Sequence, residues 1–354
     1  MPCIREPNHA VSNDMKSDSE IRMSLGSGPT TNVEDADGRK ISSSSPSWWR
    51  RAMVTAHRWI DTDTRAPLDE ARADRIDWLR TSPFIAMHLA CIAVIWVGVS
   101  PIAVIVAAAM YAIRMFALTA FYHRYFSHKT FRATRPVQFV FALIGASSVQ
   151  RGPLWWAAHH RNHHRHTETA LDPHSPAVHG FLRSHVGWFL TSRAFRTDLG
   201  RVPDLAKFPE LRLLDRYDTL VPVLLAAAMF GLGAMLQHLA PQLRTSGGQM
   251  LVWGFFISTT VLFHATVTIN SLAHRYGKRR FATADDSRNN VWLALITFGE
   301  GWHNNHHFYP GTVRQGFRWW EVDLTYYGLR VLALLGIVRD LKPIPAWVAA
   351  KARG

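Results

Sequence analysis

The sequence predicts an all-α membrane protein with four transmembrane helices arranged as two hairpins. Three observations predict it. Hydrophobic residues make up an ordinary 48% of the chain, yet they gather into long runs almost free of charge. Four of these runs are about 20 residues long, enough to cross roughly 30 Å of hydrocarbon as helix. The lysines and arginines fall in the segments that flank the runs on one side.

The polar stretch 1–46, rich in Ser, Asp and Gly, reads as a disordered tail and lacks the basic start and apolar core of a signal peptide. SWWRRAMVTAHRW (47–59) sets Trp48, Trp49, Arg50 and Arg51 just before the first run. Segment 47–80 therefore reads as an amphipathic anchor at the cytoplasmic membrane interface. One domain follows over 81–340, with spans expected at 82–100, 101–121, 219–239 and 249–269, and a C-terminal tail at 341–354. Almost nothing connects the first two spans, and Gln237–Gly248 between the last two holds Arg244 as its only Lys or Arg. Nearly all Lys and Arg lie before Ser82, between Tyr122 and Asp218, and after His274. The positive-inside rule then puts both termini in the cytoplasm. The net charge of +14 comes with no base-reading motif, so no nucleic-acid partner is expected. Cys3 and Cys91 are the only cysteines, which leaves any metal to nitrogen or oxygen ligands.

Four polar clusters mark the ends of the apolar runs, and both long histidine-bearing segments fall on the cytoplasmic side. They are HRYFSH (His123, His128), HHRNHHRH (159–166), NSLAH (Asn270 to His274) and HNNHH (His303, His306, His307), the last after the shorter run Val291–Phe298. Residues three and four apart share a helix face, so His160, His163 and His164 project together, as do His303, His306 and His307. Asn270 and His274 are also four apart. His123 and His128, five apart, are about 140° apart on an ideal α-helix and meet best if that helix ends or bends near Ser127. Imidazole suits iron, zinc and copper, whereas hard ions prefer carboxylates. A lone cluster of this kind is as often surface polarity as ligand. Four clusters on one membrane side point to a shared site, and nine histidines are too many for one ion, which makes two metals the natural count.

On the texts HRYFSH, HRNHH followed by TETALDPH (167–174), SHVGWFL (184–190), NSLAHRYG (270–277) and GEGWHNNHH (299–307), the chain resembles the integral-membrane fatty acid desaturases, specifically the Δ9 acyl-CoA (stearoyl-CoA) type in a bacterial-like form. The resemblance covers roughly residues 80 to 325. It implies a four-helix transmembrane bundle capped by a cytosolic helical domain that carries a histidine-rich diiron site. His123, His128, His160, His163, His164, His274, His303, His306 and His307 would be the iron ligands, with Asn270 completing the set through a water. The implied reaction is O2-dependent insertion of a cis double bond into a long-chain acyl substrate, in a bacterial inner membrane with the active site cytoplasmic.

An unactivated C–H bond offers side-chain acid–base chemistry nothing to work on, so a redox metal must carry that step. Position along the chain then depends on how an apolar tunnel threads the substrate. The same matches make Gln150, Trp156, Trp188 and Thr266 the candidate substrate contacts, although a Trp in a membrane protein is more often packing. Asp172 and Glu168 are candidates to orient ligand imidazoles. Glu300, three residues before His303, reads as a partner of a ligand and not itself a ligand. His159 and His166 exceed the family pattern and are expected to be non-ligands. RGPLWW (151–156) departs from the polar text expected at an acyl-CoA headgroup entrance, so acyl-lipid stands as the alternative carrier to acyl-CoA. No haem-binding text follows His307, so electrons are expected from a separate donor of ferredoxin, rubredoxin or cytochrome b5 type with its reductase. A membrane hydroxylase would share much of this logic. A metal transporter would instead place its ligands inside the spans.

Overall fold

The computed structural model describes residues 33–34, 40–41, 48–62 and 70–353. The chain divides into two compact units, Met1–Ala52 and Met53–Gly354. In the first, β1 (Val33–Glu34) and β2 (Lys40–Ile41) pair antiparallel with Val33 opposite Ile41. The rest of the stretch read as a disordered tail lies outside the described residues. Helix α1 (Trp48–Ile60) exposes Trp48, Trp49, Met53, Trp59 and Ile60, an apolar display that suits an interfacial anchor.

Four helices are long and apolar enough to cross a membrane: Trp78–Val97, Pro101–Ser127, Leu220–Leu239 and Gly247–His274. The first opens with α2 (Trp78–Ala90), whose start is fixed by the Asp77 carboxylate accepting from the Arg80 amide at 3.3 Å. The span therefore begins four residues before the expected position 82, because the cap and not the apolar run sets it. The Ser100 hydroxyl caps α3 (Pro101–Phe116), and Pro101 supplies a preset φ at the first helical position. This helix continues as a π-helix, Ala117–Ser127, six residues past the expected end.

Helices α4 (Arg135–Ala146), α5 (Pro153–His166) and α6 (Pro209–Arg216) lead to the third crossing, α7 (Leu220–Leu239). The fourth crossing holds α8 (Ser258–Ser271), and then come α9 (Val291–Ile296), α10 (His303–Phe308) and α11 (Leu324–Leu334). The stretch read as a C-terminal tail forms α12 (Ala346–Arg353), whose Val348 and Ala352 pack in a small core with Phe281 and Phe317. Strands β3 (Arg132–Ala133) and β4 (Val338–Arg339) pair antiparallel, with β4 against α11.

The most apolar windows of the second and fourth crossings are 39% and 56% buried, those of the first and third only 11% and 17%. The second and fourth are thus the inner pair. Arg114, the lone basic residue of its run, is buried against the fourth crossing and donates to the hydroxyls of Ser258 (2.5 Å) and Thr259 (2.7 Å). A charge at that depth is tolerable because its donors are used. The main core gathers Leu118, Phe121, Tyr122 and Phe126 of the π-helix with Ala142, Leu154, Leu211 and Leu329. Phe121 stacks on Phe141 at 3.9 Å. A second tie is polar. The Phe84 carbonyl, His88, His264, His185 and Ser271 form one string, with contacts of 2.8, 3.1, 3.2 and 2.9 Å. It binds α2 and α8 to the segment Phe181–His185.

Candidate metal centre and acyl cavity

The π-helix settles the awkward five-residue spacing of His123 and His128. The chain widens instead of bending at Ser127. The His128 amide donates to the His123 carbonyl (3.3 Å), the i to i−5 bond of a π-helix, which returns residues five apart to one face. Their rings lie 4.9 Å apart.

All nine candidate histidines converge, in two groups. His123, His128, His160, His164 and His306 each place a ring nitrogen within 4.8 Å of all the others, and so do His163, His274, His303 and His307. The two HxxHH triplets do not serve one group each, as their shared helix face suggests. Helix α5 sends His160 and His164 to the first group and His163 to the second. Helix α10 sends His306 to the first and His303 and His307 to the second. Asn270 lies four residues before His274, and its carbonyl accepts from Ser184 Oγ at 2.8 Å. Neither His159 nor His166 joins either group. His159 packs its ring between Trp155 (4.5 Å) and Trp188 (5.4 Å).

The donor set fits metal ions. Within the groups, Nε2 atoms approach at 2.7 Å (His128–His160), 2.9 Å (His164–His306), 3.0 Å (His123–His306), 3.1 Å (His274–His303) and 3.3 Å (His163–His307). Nitrogens about 2.1 Å from a common ion stand roughly 3.0–3.4 Å apart at octahedral to tetrahedral angles. The opposite ring edges carry the stronger argument. His163 Nδ1 meets Asp172 at 2.9 Å, His307 Nδ1 meets Asp285 at 2.7 Å, His274 Nδ1 meets Glu168 at 3.0 Å, and His123 Nδ1 meets Glu300. A neutral ring that donates from Nδ1 presents a bare lone pair at Nε2. His163 and His307 thus face each other lone pair to lone pair, an arrangement that a cation relieves. Carboxylate on Nδ1 also fixes the tautomer and raises ligand basicity.

Burial, reinforced by the neighbouring rings, pushes His160, His164, His303 and His306 well below the ordinary histidine value, and burial takes His307 down to about 4. The rings are therefore neutral, the form that binds metal. Burial works against the Asp172 and Asp285 carboxylates, yet His174 and His163 hold the first, and His307 and Ser287 the second, well below the usual range.

Several residues here escaped the sequence reading. His174 joins Asp172 and His163 in a third possible metal-holding set, with its ring stacked on His163 at 4.4 Å. Asp285 lies 22 residues from His307 with nothing local to mark it. The paired asparagines inside HNNHH are fully buried ties. Asn304 Oδ1 accepts from the amides of Arg280 and Phe281 (2.8 Å each), and Asn305 Nδ2 donates to the Gln315 carbonyl (2.9 Å). Glu300 completes a buried knot, its second oxygen 3.1 Å from Arg124, which also pairs with Asp323 at 3.0 Å.

The fatty acid desaturase family matches residues 100–333. The chain belongs to this family. Among its relatives, an acyl-CoA 5-desaturase of Anemone leveillei is 38% identical over 62% of this chain and 65% of its own length, slightly under two thirds of that protein. An sn-2 palmitoyl-lipid 9-desaturase of Nostoc sp. is 38% identical over 63% of this chain and 75% of its own. An sn-1 stearoyl-lipid 9-desaturase of Anabaena variabilis is 34% identical over 76% of this chain and 94% of its own. Fatty acid desaturases of this family are iron-dependent, which fits the all-imidazole groups and their carboxylate partners.

Beside the first histidine group lies a cavity of about 630 Å³. All four candidate substrate contacts, Gln150, Trp156, Trp188 and Thr266, line it, as do Asn270, His160 and His174. Gln150 Nε2 donates to Thr266 Oγ1 at 3.1 Å. Trp156 stacks on His160 at 5.1 Å, and both line the cavity. Trp188 Nε1 is buried with no hydrogen-bond partner among the described residues. The rest of the wall is mainly apolar, with Phe84, Met87, Phe189, Phe255 and Phe263.

Proposed function

We propose that the protein desaturates a long-chain fatty acyl substrate, placing a cis double bond at Δ9 in unsaturated fatty acid biosynthesis. The observation that carries this reading is the apolar cavity whose wall includes His160 beside two carboxylate-backed imidazole groups. His123, His128, His160, His164 and His306 would hold one iron, and His163, His274, His303 and His307 the other, with Asn270 completing the second through a water. Bound iron would supply O2 activation with electrons from a separate protein, in the balance O2 + 2 e− + 2 H+ + –CH2–CH2– → –CH=CH– + 2 H2O.

The chain's own residues supply position and dryness. The apolar wall replaces water around the methylenes, and Trp156 and Thr266 set which pair lies beside His160. The Nδ1 carboxylates keep the Nε2 lone pairs of His123, His163, His274 and His307 turned inward. The two membrane hairpins carry the histidine segments on the cytoplasmic face, where a soluble donor reaches them.

Expression in a host of known fatty acid profile tests the reading. The expected outcome is new monounsaturated acids with the bond nine carbons from the carboxyl. An unchanged profile from protein holding two irons and supplied with a working donor sinks it. Hydroxylated products would shift the reading to oxygen insertion by the same centre.

A further inference from the structure

We propose that the acyl chain enters the cavity sideways from the bilayer, between α2 and α7, so that the carrier is a glycerolipid ester that stays in the membrane. This rests on the desaturase reading and names its substrate class. Among the described residues, four line the cavity and are also exposed: Trp59 on α1, Pro83 and Ala86 on α2 and Val223 on α7. A residue that does both marks an opening. Around it, Ile85, Leu89, Leu220 and Leu224 present exposed apolar side chains from the same two helices, so the opening faces hydrocarbon and not water.

The water-side end of the same gap is bridged. Trp59 Nε1 donates to the Leu79 carbonyl (2.9 Å), and Thr219 Oγ1 donates to the Trp59 carbonyl (2.7 Å), so the end of α1 bridges the first turns of α2 and α7. Asp61 pairs with Arg216 at 2.6 Å and anchors the strap. Trp59 is the exposed lining residue at the strap itself, and Pro83, Ala86 and Val223 begin one turn below it. On its other side α2 is pinned to α8 by His88 and His264.

The polar end of the cavity holds Arg80 and Arg151. Arg151 there is committed to Asp218 (2.7 Å) and to the Phe195 carbonyl (2.8 Å). Trp59, at the strap, is the residue type that settles at the headgroup level of a bilayer. An acyl chain fixed to glycerol at that depth can swing its tail through the gap without leaving the membrane.

The test uses the iron-loaded protein in lipid nanodiscs with reductant and donor, offered phospholipid bearing a labelled saturated chain or, separately, labelled acyl-CoA. Phospholipid is expected to be desaturated with its chain still esterified. Ala86→Trp and Val223→Trp, which plug the gap, are expected to cut that rate at least tenfold with iron content unchanged. Conversion of acyl-CoA alone, or wild-type rates with phospholipid in both variants, overturns the proposal. A phospholipid carrying a mid-chain photoreactive group gives a reading on the wild type independent of turnover. Labelling of cavity residues such as Trp156 or Trp188 is expected, and labelling confined to outward residues such as Trp96 overturns it. If iron-loaded, reduced wild type converts neither carrier, the desaturase reading itself fails.

Discussion

At the residue scale, the division of labour within one helical turn makes separable predictions. His164→Ala and His306→Ala each remove a proposed iron ligand of the first group and should leave protein with one iron per chain and no product. His163→Ala should lose the other iron. Iron analysis beside product assay distinguishes these, and equal iron loss from every site would contradict the split. Asp172→Asn keeps the ring contact but weakens the acceptor, and should lower iron affinity by about 10–100-fold. His159→Ala should keep both irons and most activity. Burial takes the His159 ring from 6.5 down to about 4, so the unfolded chain binds a proton that the folded one refuses. Its contribution is therefore complete above about pH 6.5 and is lost as the pH falls toward 4. Thermal unfolding of the metal-free protein from pH 7 to 5 should show a shallower fall for His159→Phe than for wild type. The nine imidazoles were legible because helical spacing is local. Their assignment to two groups was not, since it depends on how α5 and α10 face one another, and Asp285 had no local mark at all.

At the element scale, the π-helix Ala117–Ser127 decides whether the first group can form. Nothing in ALTAFYHRYFS announces it. The wider turn is sustained by packing against α4 and α5, a tertiary term that single-chain periodicity does not contain. The closest support is at Gly145, where a Cβ would stand 2.2 Å from the Tyr122 ring, one residue before His123. The Tyr122 hydroxyl also donates to the Ala142 carbonyl at 3.0 Å. Gly145→Ala should therefore cost about 1–3 kcal/mol by overpacking and loosen iron in the first group before the second. A thermal melt read with iron content would check both. The spans themselves were legible to within a few residues, because long apolar runs need no tertiary information. Their ends were set by Asp77 and Ser100, caps that hydropathy does not weigh.

At the scale of the whole molecule, the last helix reaches the metal site through two relays. Helix α12 buries Val348 and Ala352 against Phe281 and Phe317, and the Phe281 amide binds Asn304 inside HNNHH. Truncation after Pro345 should cost about 2 kcal/mol or more of apolar burial and lower iron occupancy, although no residue removed is near an imidazole ligand in sequence. That role was invisible in a short segment with no periodic face. The string from Phe84 to Ser271 also has a direction. A carbonyl can only accept, so a string of neutral rings has His88 donating from Nδ1 to Phe84 and receiving at Nε2. It follows that His264 carries its proton on Nε2, His185 carries its own on Nε2, and the Ser271 hydroxyl turns to His185 rather than to Val267. Three such rings have one permitted tautomer each, and nitrogen-15 NMR of labelled histidine would read the string as a one-way sentence of hydrogen bonds spoken from the turn that bears Asn270 to the Phe84 carbonyl.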